Sequence, residues 1–205
     1  GGYSEELVNH LLQVSFTRDS LKIQQALFLK EVLIVVLNGS GKFDEQTASA
    51  FVSRVNQKLL NSGVESEDSL HVVEQILYTY QDIITEGNLG PSLITVVEAL
   101  LPVINSILQE GLPCQEEYNN DKEGDDENAD DYENVLDACL HLLDEIVQKF
   151  GEDFYQYFQK LENHIQGFIN PSRGITYNIN GVGTLANAVE FMPHNMKAKI
   201  LPALP

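Results

Sequence analysis

The most suggestive motif for chemistry is the glycine turn Gly181-x-Gly183-x-x-Ala186, which follows the alternating run ITYNI. A dinucleotide-binding turn joins a strand to a helix, needs a second parallel strand, and requires an acid about 20 residues further on. At that distance the chain has Lys199 and Ile200, and no other segment is typical of a buried strand. We therefore interpret Gly181 and Gly183 as packing residues of a helix, at which a neighbouring helix can approach closely.

The apolar residues around these glycines recur at helical spacing, which supports the same interpretation. They are Ile175, Ile179, Val182, Leu185, Ala186 and Val189. The pattern therefore predicts a helix over Arg173–Phe191 and no cofactor site.

No other group of residues has the spacing of a catalytic or metal site. The two cysteines, Cys114 and Cys139, form no CxxC pair, and the chain has no P-loop and no nucleophile with a neighbouring base. The acidic run from Asp125 lacks the central glycine of a calcium-binding EF-hand loop. None of the histidines pairs at a zinc-binding spacing; they are His10, His71, His141, His164 and His194. We predict that the protein is not an enzyme and that it holds no cofactor and no metal.

The composition restricts the partners of the chain. Its 31 acidic residues outnumber 12 basic ones, which gives a net charge of −19. Such a surface repels nucleic acid and anionic membranes and attracts basic protein segments. Apolar runs such as Val32–Leu37 are too short to cross a bilayer, and the few cysteines favour a reducing compartment. We therefore expect basic protein partners, no direct nucleic-acid binding and no membrane insertion.

The negative charge is concentrated in one segment. Between Glu116 and Glu133 the chain has ten acids and one lysine, a net charge of −9 in 18 residues. One interpretation is a solvated loop that keeps the protein soluble. The other is a strip that binds lysine-rich segments through a long-range attraction that salt screens. The candidate partner-binding residues are Glu116, Glu117, Asp121, Glu123, Asp125, Asp126, Glu127, Asp130 and Asp131.

The elements that must position this segment are all typical of helices. The predicted helices start at Ser4 and cover Ser20–Leu37, Asp44–Leu60, Ser66–Glu86, Pro91 to before Gly111, Tyr132–Phe150, Asp153–Ile169 and Arg173–Phe191, with a last helix from His194. Alternate helices recur about every 40 to 47 residues once an insert of about 20 is removed, which is the period of HEAT and armadillo repeats. We predict an all-α fold, an α-solenoid of HEAT/armadillo-like antiparallel helix pairs with an acidic loop insertion.

The predicted organisation has three parts. Residues 1–114 form helical repeats, residues 115–131 form the acidic loop, and residues 132–205 form further repeats of the same solenoid. We expect the chain to be one fragment of a larger protein.

The acidic insert and the helices around it resemble the importin-beta (karyopherin-beta) family. The likeness is closest in two consecutive runs. In EEYNNDKEGDDENADDYENVLDACLHLL an acidic insert leads into a helix, and in FGEDFYQYFQKLENHIQGFI a turn leads into the next helix. The runs VVEALLPVINSILQ and RGITYNINGVGTLANAVEFMP to ILPAL resemble further repeats of that type. The amino-terminal Ran-binding repeats of the family are not identifiable, so the resemblance implies a central or carboxy-terminal fragment.

What the resemblance implies is a module of a nuclear transport receptor, present in the cytoplasm and the nucleus. Its helical surface and acidic loop would engage basic cargo proteins or nuclear localisation segments. The parent protein would also bind Ran-GTP and nucleoporins. The alternative is a HEAT-repeat scaffold subunit of a multi-protein complex with no transport role. Such a scaffold would bind a folded partner through apolar patches, with little dependence on salt.

Overall fold

The computed structural model describes residues 45–61, 69–86, 93–120 and 129–200, and every regular element within these ranges is helical. The α-helices are α1 (Glu45–Asn61), α2 (Ser69–Glu86), α3 (Leu93–Leu108), α4 (Pro113–Asn120), α5 (Ala129–Phe150), α6 (Tyr155–Phe168), α7 (Ile175–Phe191) and α8 (Pro193–Ile200). Two 3₁₀ turns, Gly151–Phe154 and Pro171–Arg173, precede α6 and α7. The all-α prediction is therefore confirmed for the described residues.

The helices predicted from Asp44 onward are present, with ends that differ by a few residues. The helix predicted from Ser66 begins at Ser69, and the helix predicted from Tyr132 begins earlier, at Ala129. The two helices predicted before residue 44 lie outside the described residues. One helix was not predicted at all: α4 lies where the acidic loop was expected to start.

The chain divides into two units, Gly1–Ala138 and Cys139–Pro205. The boundary falls inside α5, so the first unit contains α1 to α4 and the start of α5. The second unit contains the rest of α5 together with α6, α7 and α8. The whole acidic segment therefore belongs to the first unit.

In the first unit, α1 packs against α3, and a buried chain of hydrogen bonds links both to α2. The Tyr80 hydroxyl donates to Asn56 Oδ1 at 2.7 Å, and Asn56 Nδ2 donates to the carbonyl of Ala99 at 2.6 Å. Burial raises the pKa of Tyr80 well above its ordinary value, so the hydroxyl keeps its proton and remains a donor. Because a buried polar group without a partner costs about 1–3 kcal/mol, this chain fixes how the three helices align.

The helix α3 is the apolar centre of this unit. Its buried side chains are Leu93, Val96, Val97, Leu100, Val103, Ile104, Ile107 and Leu108. By length and composition alone, Leu93–Glu116 could cross a membrane. However, α3 itself has 16 residues, and a helix of that length spans about 24 Å, less than the ~30 Å hydrocarbon core of a bilayer. A turn with Glu110 at φ 57° separates α3 from α4, so the length and burial of α3 are those of a core helix.

In the second unit, α6 and α7 approach each other closely at Gly181. A Cβ added there would lie 3.2 Å from the carbonyl oxygen of Ile165 and 3.1 Å from Cγ1 of Ile169. The predicted close approach at a small residue is therefore confirmed at Gly181. At Gly183 the same prediction is wrong, because an added Cβ would meet nothing within 4 Å. Gly183 is exposed, on the side of α7 that turns away from α6.

A glycine and a glutamate in the 3₁₀ turn after α5 contact the end of α7 and the start of α8. Gly151 has φ 51°, and a Cβ on it would lie 3.0 Å from the carbonyl oxygen of Phe191. Glu152 Oε1 accepts a hydrogen bond from the His194 backbone N–H at 2.6 Å, and Oε2 accepts one from Asn195 Nδ2. Partial burial raises the pKa of Glu152, but the hydrogen bonds from His194 and Asn195 outweigh it and lower the pKa below its usual value. The carboxylate therefore caps the start of α8, where the helix dipole favours negative charge.

Candidate partner-binding surface

The acidic segment does not begin as a loop. Pro113 occupies the first position of α4, where its missing N–H is not needed. The Gln115 side chain is fully buried; its Oε1 accepts from the Leu112 N–H at 3.2 Å, and its Nε2 donates to the Ile107 carbonyl at 3.3 Å. These contacts hold the α3–α4 turn, so the prediction of a loop from Gln115 is wrong for residues 115–120.

The carboxyl side of the segment is also helical at its end. The helix α5 includes Ala129, Asp130 and Asp131, which the predicted loop contained. The acids Asp130 and Asp131 lie in the first turn of α5, where negative charge opposes the positive end of the helix dipole. Residues 121–128 lie outside the described residues.

Two tyrosines bring the flanks of the acidic segment together. The rings of Tyr118 on α4 and Tyr132 on α5 are stacked, with centroids 4.8 Å apart and planes 30° apart. Asn119 Nδ2 donates to the Tyr132 hydroxyl at 3.3 Å. Tyr132 is buried and Tyr118 is half-buried. The stack therefore joins the two flanks of the segment, α4 and the start of α5, within the first unit.

The predicted site residues fall into three groups. Glu116 is exposed on α4, Asp130 is exposed on α5, and Asp131 is half-exposed beside it. Glu117 belongs to α4. The remaining five predicted residues lie outside the described residues: Asp121, Glu123, Asp125, Asp126 and Glu127. The structure thus brings the two ends of the acidic strip together through the tyrosine stack, which sequence spacing does not predict.

The described residues offer little to a metal or a nucleophile. Among them, no group of three histidine, cysteine, aspartate or glutamate side chains is arranged to hold a metal ion. Cys114 and Cys139 are both buried and are not joined in a disulfide, and burial strongly raises the pKa of the Cys139 thiol. Because the thiolate is the reactive form of cysteine, Cys139 is poorly suited to act as a nucleophile.

One carboxylate in the second unit is in an unusual position. Asp144 on α5 is half-buried and accepts hydrogen bonds from the side chains of Thr184 and Asn187 on α7. Its Oδ1 is buried with no hydrogen-bond partner within the described ranges. Burial raises the pKa of Asp144, and the two hydrogen bonds and the nearby His141 only partly offset that rise. The group ties α7 to α5 at a cost in desolvation, which is a structural role.

Sequence reasoning missed an exposed apolar stripe on α7. The buried residues of this helix are small, namely Gly181, Thr184 and Ala188. Ile175, Ile179 and Val182 are instead 76%, 63% and 52% exposed. The signal that could have found this stripe is the absence of charge along α7, where Glu190 is the one charged residue.

The comparisons with known proteins identify no relative. No protein-family model matches the chain, and searches among curated proteins and solved structures find no significantly similar chain. The resemblance to the importin-beta family therefore rests on the sequence features given above.

Proposed function

We propose that this chain is a non-enzymatic protein-binding module that engages lysine-rich segments of partner proteins through its acidic segment and neighbouring helical surface. The observation that carries this proposal is the net charge of −9 between Glu116 and Glu133, on a segment whose ends are joined by the stack of Tyr118 on Tyr132. The stack joins α4, which carries Glu116, to the start of α5, which carries Asp130 and Asp131, so the charges of both helices can attract the same basic segment.

The setting that we propose is nuclear transport, in a receptor resembling the importin-beta family. The basic segment would then be a nuclear localisation segment of a cargo protein, and the parent protein would shuttle between cytoplasm and nucleus. Ran-GTP and nucleoporins would be partners of that parent protein.

The proposed architecture is a HEAT-like solenoid. In such a stack, corresponding helices of successive pairs pack on each other. The packing of α1 against α3, two helices further along the chain, supports this arrangement in the first unit. Gln115 and the tyrosine pair then fix where the acidic insert leaves and re-enters the stack.

The test is the affinity of the chain for a lysine-rich localisation peptide, measured by calorimetry. Deleting residues 115–131 would remove the buried Gln115 and the tyrosine stack, so neutral isosteres are the better variants. The first variant replaces four acids of the segment: Glu123→Gln, Asp125→Asn, Asp126→Asn and Glu127→Gln. The matched control neutralises four acids elsewhere in the same way, namely the exposed Glu86, Glu98 and Asp153 and the half-exposed Glu145.

Both variants change the net charge equally. A difference in affinity between them therefore depends on where the neutralised acids lie and not on the total charge. We expect the segment variant to lose at least about tenfold in affinity and the control to lose less than about threefold, since local charge dominates within a Debye length of about 8–10 Å. Equal losses would show that only the overall charge matters. No binding by the intact chain would refute the proposal and favour the scaffold alternative.

A further inference from the structure

The exposed stripe on α7 has the spacing of a helix-pairing seam. Ile175, Ile179, Val182 and Ala186 follow one another at steps of four, three and four residues, and all four are exposed. This is the 3.5-residue repeat by which one helix packs along another. Contiguous exposed apolar side chains of this kind mark a surface that another chain covers.

The charges at the two ends of α7 are complementary. Glu190 is exposed at the carboxyl end of the stripe. At the amino end, Gly174 is the N-cap residue and provides no capping side chain. The first N–H groups of α7 carry the partial positive charge of a helix N-terminus and attract a carboxylate. An antiparallel neighbour with the same sequence would therefore place its Glu190 near this end.

We propose that the stripe on α7 is a homotypic interface, in which the α7 helices of two copies of this chain pair in antiparallel orientation. Two-fold symmetry would set Ile175 opposite Ala186 of the second copy and Ile179 opposite Val182, so that each large side chain meets a smaller one. Gly183, with open space around it, lets the two helices approach closely.

The charge of the chain makes this uncharged face suited to self-association. With a net charge of −19, two copies repel each other over most of their surface. The stripe between its two ends carries no charge, so contact there costs the least electrostatic work. Raising the salt concentration screens the repulsion and strengthens the dimer, whereas it weakens the binding of a basic peptide.

The size of the stripe sets the strength of the association. The four side chains of the stripe supply roughly half of the ~800 Å² per partner that a standard interface buries. The dimer is therefore weak and reversible, and it forms at high protein concentration.

The experiment is sedimentation equilibrium of the full chain between roughly 10 µM and 1 mM, a range that covers weak association. The variants are Ile179→Lys, which places a charge in the middle of the stripe, and Glu190→Lys, which places a cation near the N-terminus of the second copy. The control is Gln156→Lys, because Gln156 is exposed on α6 and the change in charge is the same as for Ile179→Lys. Circular dichroism of each variant checks that the fold is retained.

We expect the average mass of the unmodified chain to rise from 22.9 kDa toward twice that value with concentration. Ile179→Lys should weaken the association by at least about tenfold and Glu190→Lys by a few-fold, while the control differs by less than about twofold. A monomer at every concentration and salt would overturn the proposal. Self-association that Ile179→Lys leaves unchanged would overturn it as well.

Discussion

The helices α3 and α7 are both apolar, but they use their side chains in opposite ways. On α3 the large side chains, such as Leu100 and Ile104, are fully buried. On α7 the buried residues are Gly181, Thr184 and Ala188, and three large side chains, Ile175, Ile179 and Val182, point to solvent. A helix that is apolar by sequence therefore belongs to a core only when its large residues face a neighbour. The close approach of α6 requires the small residues of α7, and its large residues remain available to another chain.

The sharpest test of this comparison is truncation of one large side chain in each helix. Leu100→Ala should lower the free energy of unfolding by about 2–5 kcal/mol, because it removes a fully buried side chain and leaves a cavity. Ile179→Ala should change it by less than about 0.5 kcal/mol, because the side chain is already exposed. Urea unfolding of dilute protein measures both. Similar losses for the two variants would show that the face of α7 is covered within a single chain.

The next test concerns the glycines of α7. Gly181→Ala should cost about 1–3 kcal/mol, since its methyl group would press on the backbone of α6 at 3.2 Å. Gly183→Ala should instead stabilise the protein by up to about 1 kcal/mol, because alanine is the better helix former and the space is open. Thermal and urea unfolding of the two variants would give the signs. A stabilising Gly181→Ala would contradict the close contact of α6 with α7.

A smaller effect is expected from Asp144 and depends on pH. Its folded pKa is raised above the unfolded value of about 3.9. The folded state therefore holds the proton more tightly, and stability falls as the pH rises through the folded pKa. Asp144→Asn removes this loss, so the stability of the variant relative to the unmodified chain should increase between about pH 4 and pH 7. A difference that stays constant with pH would show that Asp144 is not desolvated.

The smallest effect concerns Glu152, whose pKa changes in the opposite direction. Its folded pKa is lowered, so its stabilising contribution is present above the unfolded value of about 4.3 and is lost as the pH falls through the folded pKa. Glu152→Gln should therefore destabilise the second unit slightly at neutral pH, and the difference should shrink as the pH falls below the unfolded value of about 4.3. Unfolding curves at neutral and at acidic pH check this. A larger loss in acid than at neutral pH would reverse the sign and contradict the capping role.

The helical elements could be predicted from sequence because apolar spacing and caps are local signals. The spacing predicts the helix over 175–191 despite its two glycines, and the same spacing excludes a strand there. Which side of that helix is buried could not be predicted. The choice depends on how closely α6 approaches, and a contact between Gly181 and the Ile165 carbonyl leaves no pattern in the sequence.

In the candidate site, too, some features could be predicted from the local sequence and others could not. The run of acids between Glu116 and Glu133 is evident from composition alone. The helix α4 was missed because its acids and asparagines are typical of a loop, and its stability depends on the buried Gln115 and on the stack of Tyr118 with Tyr132. Those contacts depend on how the chain turns between α3, α4 and α5, and the spacing of apolar residues does not encode such turns.

The most direct test of the account is the affinity of the full chain for a lysine-rich localisation peptide at low and high salt. Raising the salt from about 50 mM to about 500 mM shortens the Debye length from over 10 Å to less than half that value. If the acidic segment binds basic partners, the affinity should fall by at least about tenfold over this range. An affinity that stays unchanged would contradict a charge-based mechanism. The peptide would then bind to exposed helical surfaces rather than to the acidic segment.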